Sequence, residues 1–329
     1  MIEALTRHQI YLQRYAGGLF KDLRPGLRQL RDEVADRIAN STEYEKGRLS
    51  LLLSDLNTII DGSFAPLSAT IFDSVDELAL YEQQYSLKLL DSSTTATVLI
   101  GAGTQPELLK AFIRSKPLVM AGEKPMNINQ MIGTFNSRYK QDIKTTLEMG
   151  LLEGKTIQQM TSEVKRLSNA RSRRQAEALV RTIVNHTGAI AREEAFKGYN
   201  HLFKGERFSA TLDSRTTLIC ASNDGKVFPF GVGPIPPLHW NCRSLRVKEV
   251  KDEYDLTAGG TRAAQGGPVS NRMTYSGWLR KQSKETQIEV LGVERAKLFR
   301  SGKMTLDKFV DKTGHTYTLK ELAKADSIA

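Results

Sequence analysis

A chain of 329 residues has room for one to three domains, and its 40% apolar share can build real cores; with only 7% aromatics, helices packed by Leu, Ile, Val and Ala are the favoured material. The formal charge of +10 is uneven: 26 Lys/Arg face 23 Asp/Glu in residues 1–200, and 21 face 14 in residues 201–329, so the C-terminal part is the more basic and suits polyanions such as DNA non-specifically. No stretch approaches the roughly 18 uncharged apolar residues of a membrane span, the start MIEALTRHQIYLQRY lacks the apolar core of a signal peptide, and two cysteines do not make a secreted disulfide scaffold. The expectation is a protein folded in a reducing cytoplasm.

Residues 1 to about 200 read as helices. Leu27, Leu30, Val34 and Ile38 recur at helical spacing, as do Leu49, Leu52, Leu53, Leu56 and Ile60. Tyr11, Tyr15 and Phe20 suit either a core or a partner contact. Thr42 with Glu45 predicts a capping box opening the second helix, and Ser74 with Glu77 predicts another ahead of Leu78, Tyr81 and Tyr85. Asp61-Gly62 and Pro66 predict a break between them. The Ser/Thr-rich stretch 92–97, the apolar run after it and Gly101-Ala102-Gly103 read as a loop or an elongated excursion, and Pro117, Gly122 and Pro125 make 116–127 irregular. Helical spacing resumes at Ile128, Ile132, Phe135 and Tyr139. Thr156 and Gln159 form a capping box before the stripe Ile157, Met160, Val164 and Leu167. A long helix with Leu179, Ile183, Thr187, Ile190 and Phe196 follows. Near this junction Lys165, Arg166, Arg171, Arg173, Arg174 and Arg181 gather as a candidate DNA-facing patch or a solvated helix face.

The texture changes near residue 200. Phe208, Ala210 and Leu212 alternate as in a strand, and 226–230 and 243–250 are strand-like. The Pro-rich run 231–241 between them predicts an extended, ordered loop. Residues 256–271 carry two Gly-Gly pairs and predict a flexible loop. Short helices return from Trp278 to about Leu291 and from Val293 to Arg300, and Thr318 with Glu321 caps a last one. The expected class is α+β: a long, mainly helical N-terminal part over 1–140, then a compact C-terminal domain over 141–329 with a small β-sheet and short helices.

The unusual segment is Thr211-Leu-Asp213-Ser-Arg215-Thr-Thr, Cys220, Asp224-Gly225-Lys226, then Pro236-Pro237-Leu238-His239-Trp240-Asn241-Cys242-Arg243-Ser244. Two residues apart on a strand, Asp213 and Arg215 would share a face; a carboxylate there reads as a salt bridge or loop clamp. Asp224-Gly225 reads as a hairpin turn. Cys220, His239 and Cys242 are zinc-ligand types, but one H-x-x-C and a lone Cys are not two C-x-x-C pairs, and Asp213 or Asp224 would have to complete the set. The reading is no metal and no cofactor, with two small buried thiols; a Cys220–Cys242 disulfide stays open for an oxidised particle. The prolines, Pro237 among them, hold the loop so that Asn241, Cys242 and Arg243 dock on the strands. His-Asn-His endonucleases need a second His and a metal frame that the sequence lacks. The Glu43-Tyr44-Glu45 run has no ADP-ribosyltransferase context around it, and no P-loop or internal repeat is present.

These elements, in this order, resemble the C-terminal domain of the phage Mu protein F-like head morphogenesis family: a D-x-R-T stretch, a Cys, a D-G-K turn and a P-P-x-H-x-N-C-R block. Trp278-Leu-Arg-Lys-Gln282, Val290-Leu-Gly292, Arg295-Ala-Lys-Leu-Phe299, Gly302-Lys303, then Asp311, Gly314, Thr318 and Leu319 resemble the family's tail. The resemblance spans about 140–325. One departure is Val180-Arg181-Thr182-Ile183 where the family often carries A-R-T-E. The resemblance implies a minor head (minor capsid) protein of a tailed phage, not an enzyme, located in the virion head at the portal vertex. It implies the portal, major capsid and scaffold proteins as partners. Two readings compete: a non-specific double-stranded-DNA-binding protein for packaging or ejection, to which the basic balance points, and a zinc-dependent enzyme on Cys220, His239 and Cys242.

Overall fold

The computed structural model describes residues 1–326 apart from 43, 46, 100–102 and 258. Six helices come first: α1 (Ile2–Ala39), α2 (Leu49–Ser93), α3 (Pro106–Ser115), α4 (Ile128–Leu152), α5 (Ile157–Leu167) and α6 (Arg173–Phe196), the last two joined by a π-helical turn over Ser168–Ser172. The compact part follows with β1 (Phe203–Ser209), α7 (Leu218–Asn223), β2 (Val227–Phe228), β3 (Leu245–Val250), β4 (Thr261–Arg262), β5 (Val269–Ser270), α8 (Tyr275–Arg280), α9 (Lys284–Leu291), α10 (Val293–Arg300) and α11 (Leu319–Asp326). The α+β class holds, and among the described residues no helix is long and apolar enough to cross a membrane.

The helical part differs from expectation in four places. α2 runs unbroken through Pro66 and Ser74. Ile60, Phe64, Leu67, Ile71, Val75 and Leu78 keep one buried stripe across the proline, which sits on the exposed side; burying that stripe outweighs one missing ladder bond. The Ser74–Glu77 pair is therefore mid-helix, not a helix start. α2 begins at Leu49, with Arg48 at its N-cap and no side-chain cap bond, so Thr42 and Glu45 do not open it; Glu43 lies outside the described residues. A short helix, α3, stands where the sequence pattern suggested none. The boxes at Thr156/Gln159 and, unforeseen, Asn127/Gln130 do cap α5 and α4. Gly150 lets α4 approach α5, since a side chain there would collide with the Met160 sulfur.

One apolar core runs through the helices and crosses residue 140. Leu12, Leu30, Leu52, Ile71, Ile132 and Leu147 share it with Met160, Leu179, Val184 and Ala191. The helices of 1–140 thus form a bundle around α6 rather than a separate arm. Phe20 lies in this core and Tyr15 is half-buried with its hydroxyl on the Ser74 carbonyl, while Tyr11 is exposed.

The sheet has the order β2-β1-β3 and is antiparallel throughout, with Arg207 opposite both Val227 and Val247. Strand β1 ends at Ser209, so Ala210 and Leu212 are buried beyond it and Asp213 and Arg215 stand in a turn, not on one strand face. The 256–271 stretch, expected as a loose loop, holds the β4–β5 hairpin. Arg262 within it is fully buried, and Ala264 bridges Leu212. Helices α8 to α11 close over a last core of Tyr275, Trp278, Leu279, Phe299, Phe309 and Leu322.

Candidate functional site

The motif residues converge between the end of β1 and helix α6, and nearly all are held by one another. Asp213 receives the Arg243 guanidinium on both oxygens, with Nη2 at 2.8 Å from Oδ1 and Nη1 in contact with Oδ2. Its Oδ1 also accepts from the Arg215 backbone N–H and the Thr216 hydroxyl, both at 3.1 Å. The Arg215 side chain is 80% exposed and adds a looser ion pair, its Nη2 3.6 Å from Asp213 Oδ2. Burial would raise the Asp213 carboxyl, but Arg243 outweighs it and holds the group below its ordinary range.

Asp224 makes the second clamp. Its Oδ1 accepts from Ala210 N at 2.6 Å and Arg262 Nη2 at 2.9 Å, and its Oδ2 from Tyr275 N at 2.6 Å and Arg262 Nη1 at 3.1 Å. Gly225 turns the chain at φ +83°, as the Asp-Gly pair predicts. The carboxylate beside it, read from the sequence as part of a turn, instead joins the end of β1, the hairpin and α8. The Tyr275 hydroxyl donates to the Asp213 carbonyl at 2.9 Å and links the two clamps.

Cys220 on α7 and the His239–Cys242 turn make the third meeting point. Cys220 Sγ lies 3.3 Å from His239 Nε2 and 3.7 Å from Cys242 Sγ. Both thiols are free and buried; at 3.7 Å they are unbonded, against about 2.05 Å in a disulfide. The hydrogen bond to Cys242, with burial, pushes the Cys220 thiol up. Burial opposes ionisation of Cys242 too, but Cys220 and His239 hold that thiol well below its ordinary value. Asn241 makes the turn possible by adopting φ +61°, a left-handed conformation that Asn tolerates better than most residues. Pro236-Pro237 is cis, and the two prolines with Leu238 are buried.

Helix α6 anchors this block through a polar face that the sequence pattern did not single out. Thr182 Oγ1 accepts from Asn241 N at 3.0 Å, and Asn185 Nδ2 donates to the Cys242 carbonyl at 2.9 Å. Asn185 Oδ1 accepts from Gln9 Nε2 at 3.0 Å, which carries the tie to α1. His186 Nε2 reaches the Lys116 carbonyl at 3.1 Å. The signal was present as three polar residues at i, i+3 and i+4 in an apolar helix. A buried trio inside the bundle was also missed: His8 Nε2 is 2.5 Å from Glu82 Oε1, with Arg192 3.7 Å from Oε2.

The basic cluster is split. Arg181 is bound to Glu177 and to the Gln13 carbonyl and amide oxygens, and Arg171 pairs with Asp142 at 3.2 Å. Arg166 is exposed beside Glu163 at 3.9 Å, and Lys165 is half-buried. Arg173 and Arg174 are exposed and form no ion pair among the described residues. A cavity of about 1110 Å³ opens nearby, lined among others by Lys116, Met120, Ile190, Phe228, Ile235 and Arg246; none of Asp213, Asp224, Cys220, His239 or Cys242 lines it.

Residues 141–246 match the family model described as Phage Mu protein F like protein. The match ends within β3, so the tail block from Trp278 to Leu319 lies outside it. Comparison with curated proteins and with solved structures gives no match. The family is one of phage head morphogenesis proteins, and the resemblance read from the sequence holds over the matched segment.

Proposed function

We propose, from the match of residues 141–246 to the phage Mu protein F-like family, that this chain is a minor head protein acting at the portal vertex as an assembly component rather than a catalyst. One observation carries the non-catalytic part of this reading. The motif's acidic groups are engaged internally, Asp213 by Arg243 and Asp224 by Arg262, and neither faces the large cavity. A general acid or base must reach a substrate proton, whereas these carboxylates hold neighbouring segments together. The helical bundle then supplies an outer surface for portal, capsid or scaffold subunits, and several copies around one ring would add weak contacts into firm attachment.

Co-expression with the cognate portal and capsid proteins tests this. Assembled heads should carry the chain through density-gradient purification, and imaging of the unique vertex should place it beside the portal. Its absence from purified heads overturns the reading, as does turnover of a substrate by the isolated chain.

A second reading has its own observation: Arg173 and Arg174, exposed and without an ion pair among the described residues, favour contact with packaged double-stranded DNA. The two readings are compatible, because one uses the start of α6 and the other the bundle surface.

A further inference from the structure

We propose that Cys220, His239 and Cys242 bind one zinc ion, with an oxygen held at Thr217 in the fourth position.

The geometry fits. The three ligand atoms lie within 4.8 Å of one another. For zinc at about 2.3 Å from sulfur and 2.0–2.1 Å from nitrogen, a tetrahedron has a sulfur–sulfur edge of about 3.8 Å and a sulfur–nitrogen edge of about 3.5 Å. The structure has 3.7 Å between the sulfurs and 3.3 Å between Cys220 Sγ and His239 Nε2. The sulfurs are too far apart for a disulfide and spaced as two thiolates on one ion are.

The imidazole is already set for ligation. His239 Nδ1 is 2.8 Å from the Trp240 carbonyl oxygen, which can only accept, so Nδ1 carries the hydrogen and Nε2 the lone pair. A backbone carbonyl behind the far ring nitrogen is how ligand histidines are oriented. Cys242 is delivered by a tight turn, its N–H donating to the His239 carbonyl at 3.1 Å, with Asn241 at positive φ between them. This turn substitutes for the second C-x-x-C pair that the sequence lacks.

The donor set also selects the metal. Asp213 and Asp224, the carboxylates that could complete a four-ligand set, are engaged by Arg243 and Arg262. Two sulfurs and one imidazole remain, a set that suits zinc and not magnesium or calcium. On the remaining side stands the exposed Thr217, whose Oγ1 is 2.8 Å from His239 Nε2. That side offers the entry path and an oxygen, as the hydroxyl itself or as a water it holds. Binding releases the two thiol protons, and two thiolates balance the dipositive ion, so the buried centre is neutral. Its effect is to lock α7 onto the Pro-rich loop.

Metal analysis of the full chain, grown with zinc and gel-filtered, should find about one zinc per chain, with neither thiol reactive until a chelator is added. Cys220→Ser and Cys242→Ser should each lower zinc content at least tenfold, and Thr217→Val, which removes the oxygen of the fourth position, should make the ion several times easier to strip with a competing chelator. Because a cysteine variant can lose metal by misfolding, the wild-type chain reconstituted with cobalt(II) is the deciding sample: it should show the intense visible bands of a tetrahedral site and a thiolate-to-metal band. A wild-type chain that holds less than a tenth of an equivalent after growth and after reconstitution, with thiols free or joined as a disulfide, overturns the proposal.

Discussion

Asp224 and Arg262 meet in the interior with their side chains 0% and 1% exposed, and both carboxylate oxygens face the guanidinium. They lie 38 positions apart, one after α7 and one on the β4–β5 hairpin. Arg262 also donates to the Ser209 hydroxyl and to the Ala210 and Met273 carbonyls. Removing the Asp224 carboxylate would leave the buried guanidinium without its counter-charge.

Asp224→Asn should therefore lower unfolding free energy by about 3–5 kcal/mol, although it preserves volume. Chemical denaturation gives the value. A loss below about 1 kcal/mol would mean that the clamp is dispensable.

His186 sets a pH dependence. Burial pushes its pKa down from 6.5 to about 4, and Nε2 donates to the Lys116 carbonyl in the neutral form. Its folded pKa is depressed, so below pH 6.5 the unfolded chain takes up a proton that the folded chain refuses. The stability this group contributes is fully present above pH 6.5 and is lost as pH falls to about 4, amounting to about 3 kcal/mol. Denaturation curves across that range should be flatter for His186→Gln than for the parent by a comparable amount; equal slopes would remove His186 as the cause.

Asn241 sits at φ +61° on the exposed side of the turn. Asn241→Gly should be nearly neutral, whereas Asn241→Val should cost about 1–2 kcal/mol, because a branched side chain strains the left-handed conformation. Thermal melts of the two variants check the order.

Arg173→Glu with Arg174→Glu should weaken binding to double-stranded DNA and reduce the salt slope of log K by about 0.9 for each phosphate that is no longer neutralised. The stability from chemical denaturation should stay within about 0.5 kcal/mol of the parent, because both side chains are exposed. Arg181→Glu should instead reduce stability, since Arg181 ties α6 to α1 through Gln13. Salt-dependent binding isotherms separate the two effects, and unchanged affinity in the double variant would end the DNA reading.

The helical half was legible where one stripe met one cap, as at Thr156, Gln159, Met160 and Val164. It was misread where a turn signal lay on the solvent side of a longer stripe. Pro66 is tolerated because Phe64 and Leu67 are buried on either side of it, and that is decided by tertiary packing rather than local preference. At the site, the motif names the participants but not their pairing. Asp213 finds Arg243 thirty positions away, and Asp224 finds an arginine in a stretch whose Gly-Gly pairs suggested looseness. Cys220 and the His239–Cys242 turn were recognisable as donor types. Their convergence depends on α6 holding the turn through Thr182 and Asn185, a meeting of segments about sixty residues apart that spacing alone does not reveal.

Helix α6 has one further consequence. It lies inside the family-matched segment, yet its apolar side is covered by α1 and α2, and Glu3 and Thr6 of α1 bond the backbone of Thr261 and Ala263 in the hairpin. A fragment trimmed to 141–246 would present a greasy, half-clothed helix to water and should clump rather than fold. During synthesis the earliest helices must likewise wait, partly unclad, for α6 to leave the ribosome before their shared interior can close.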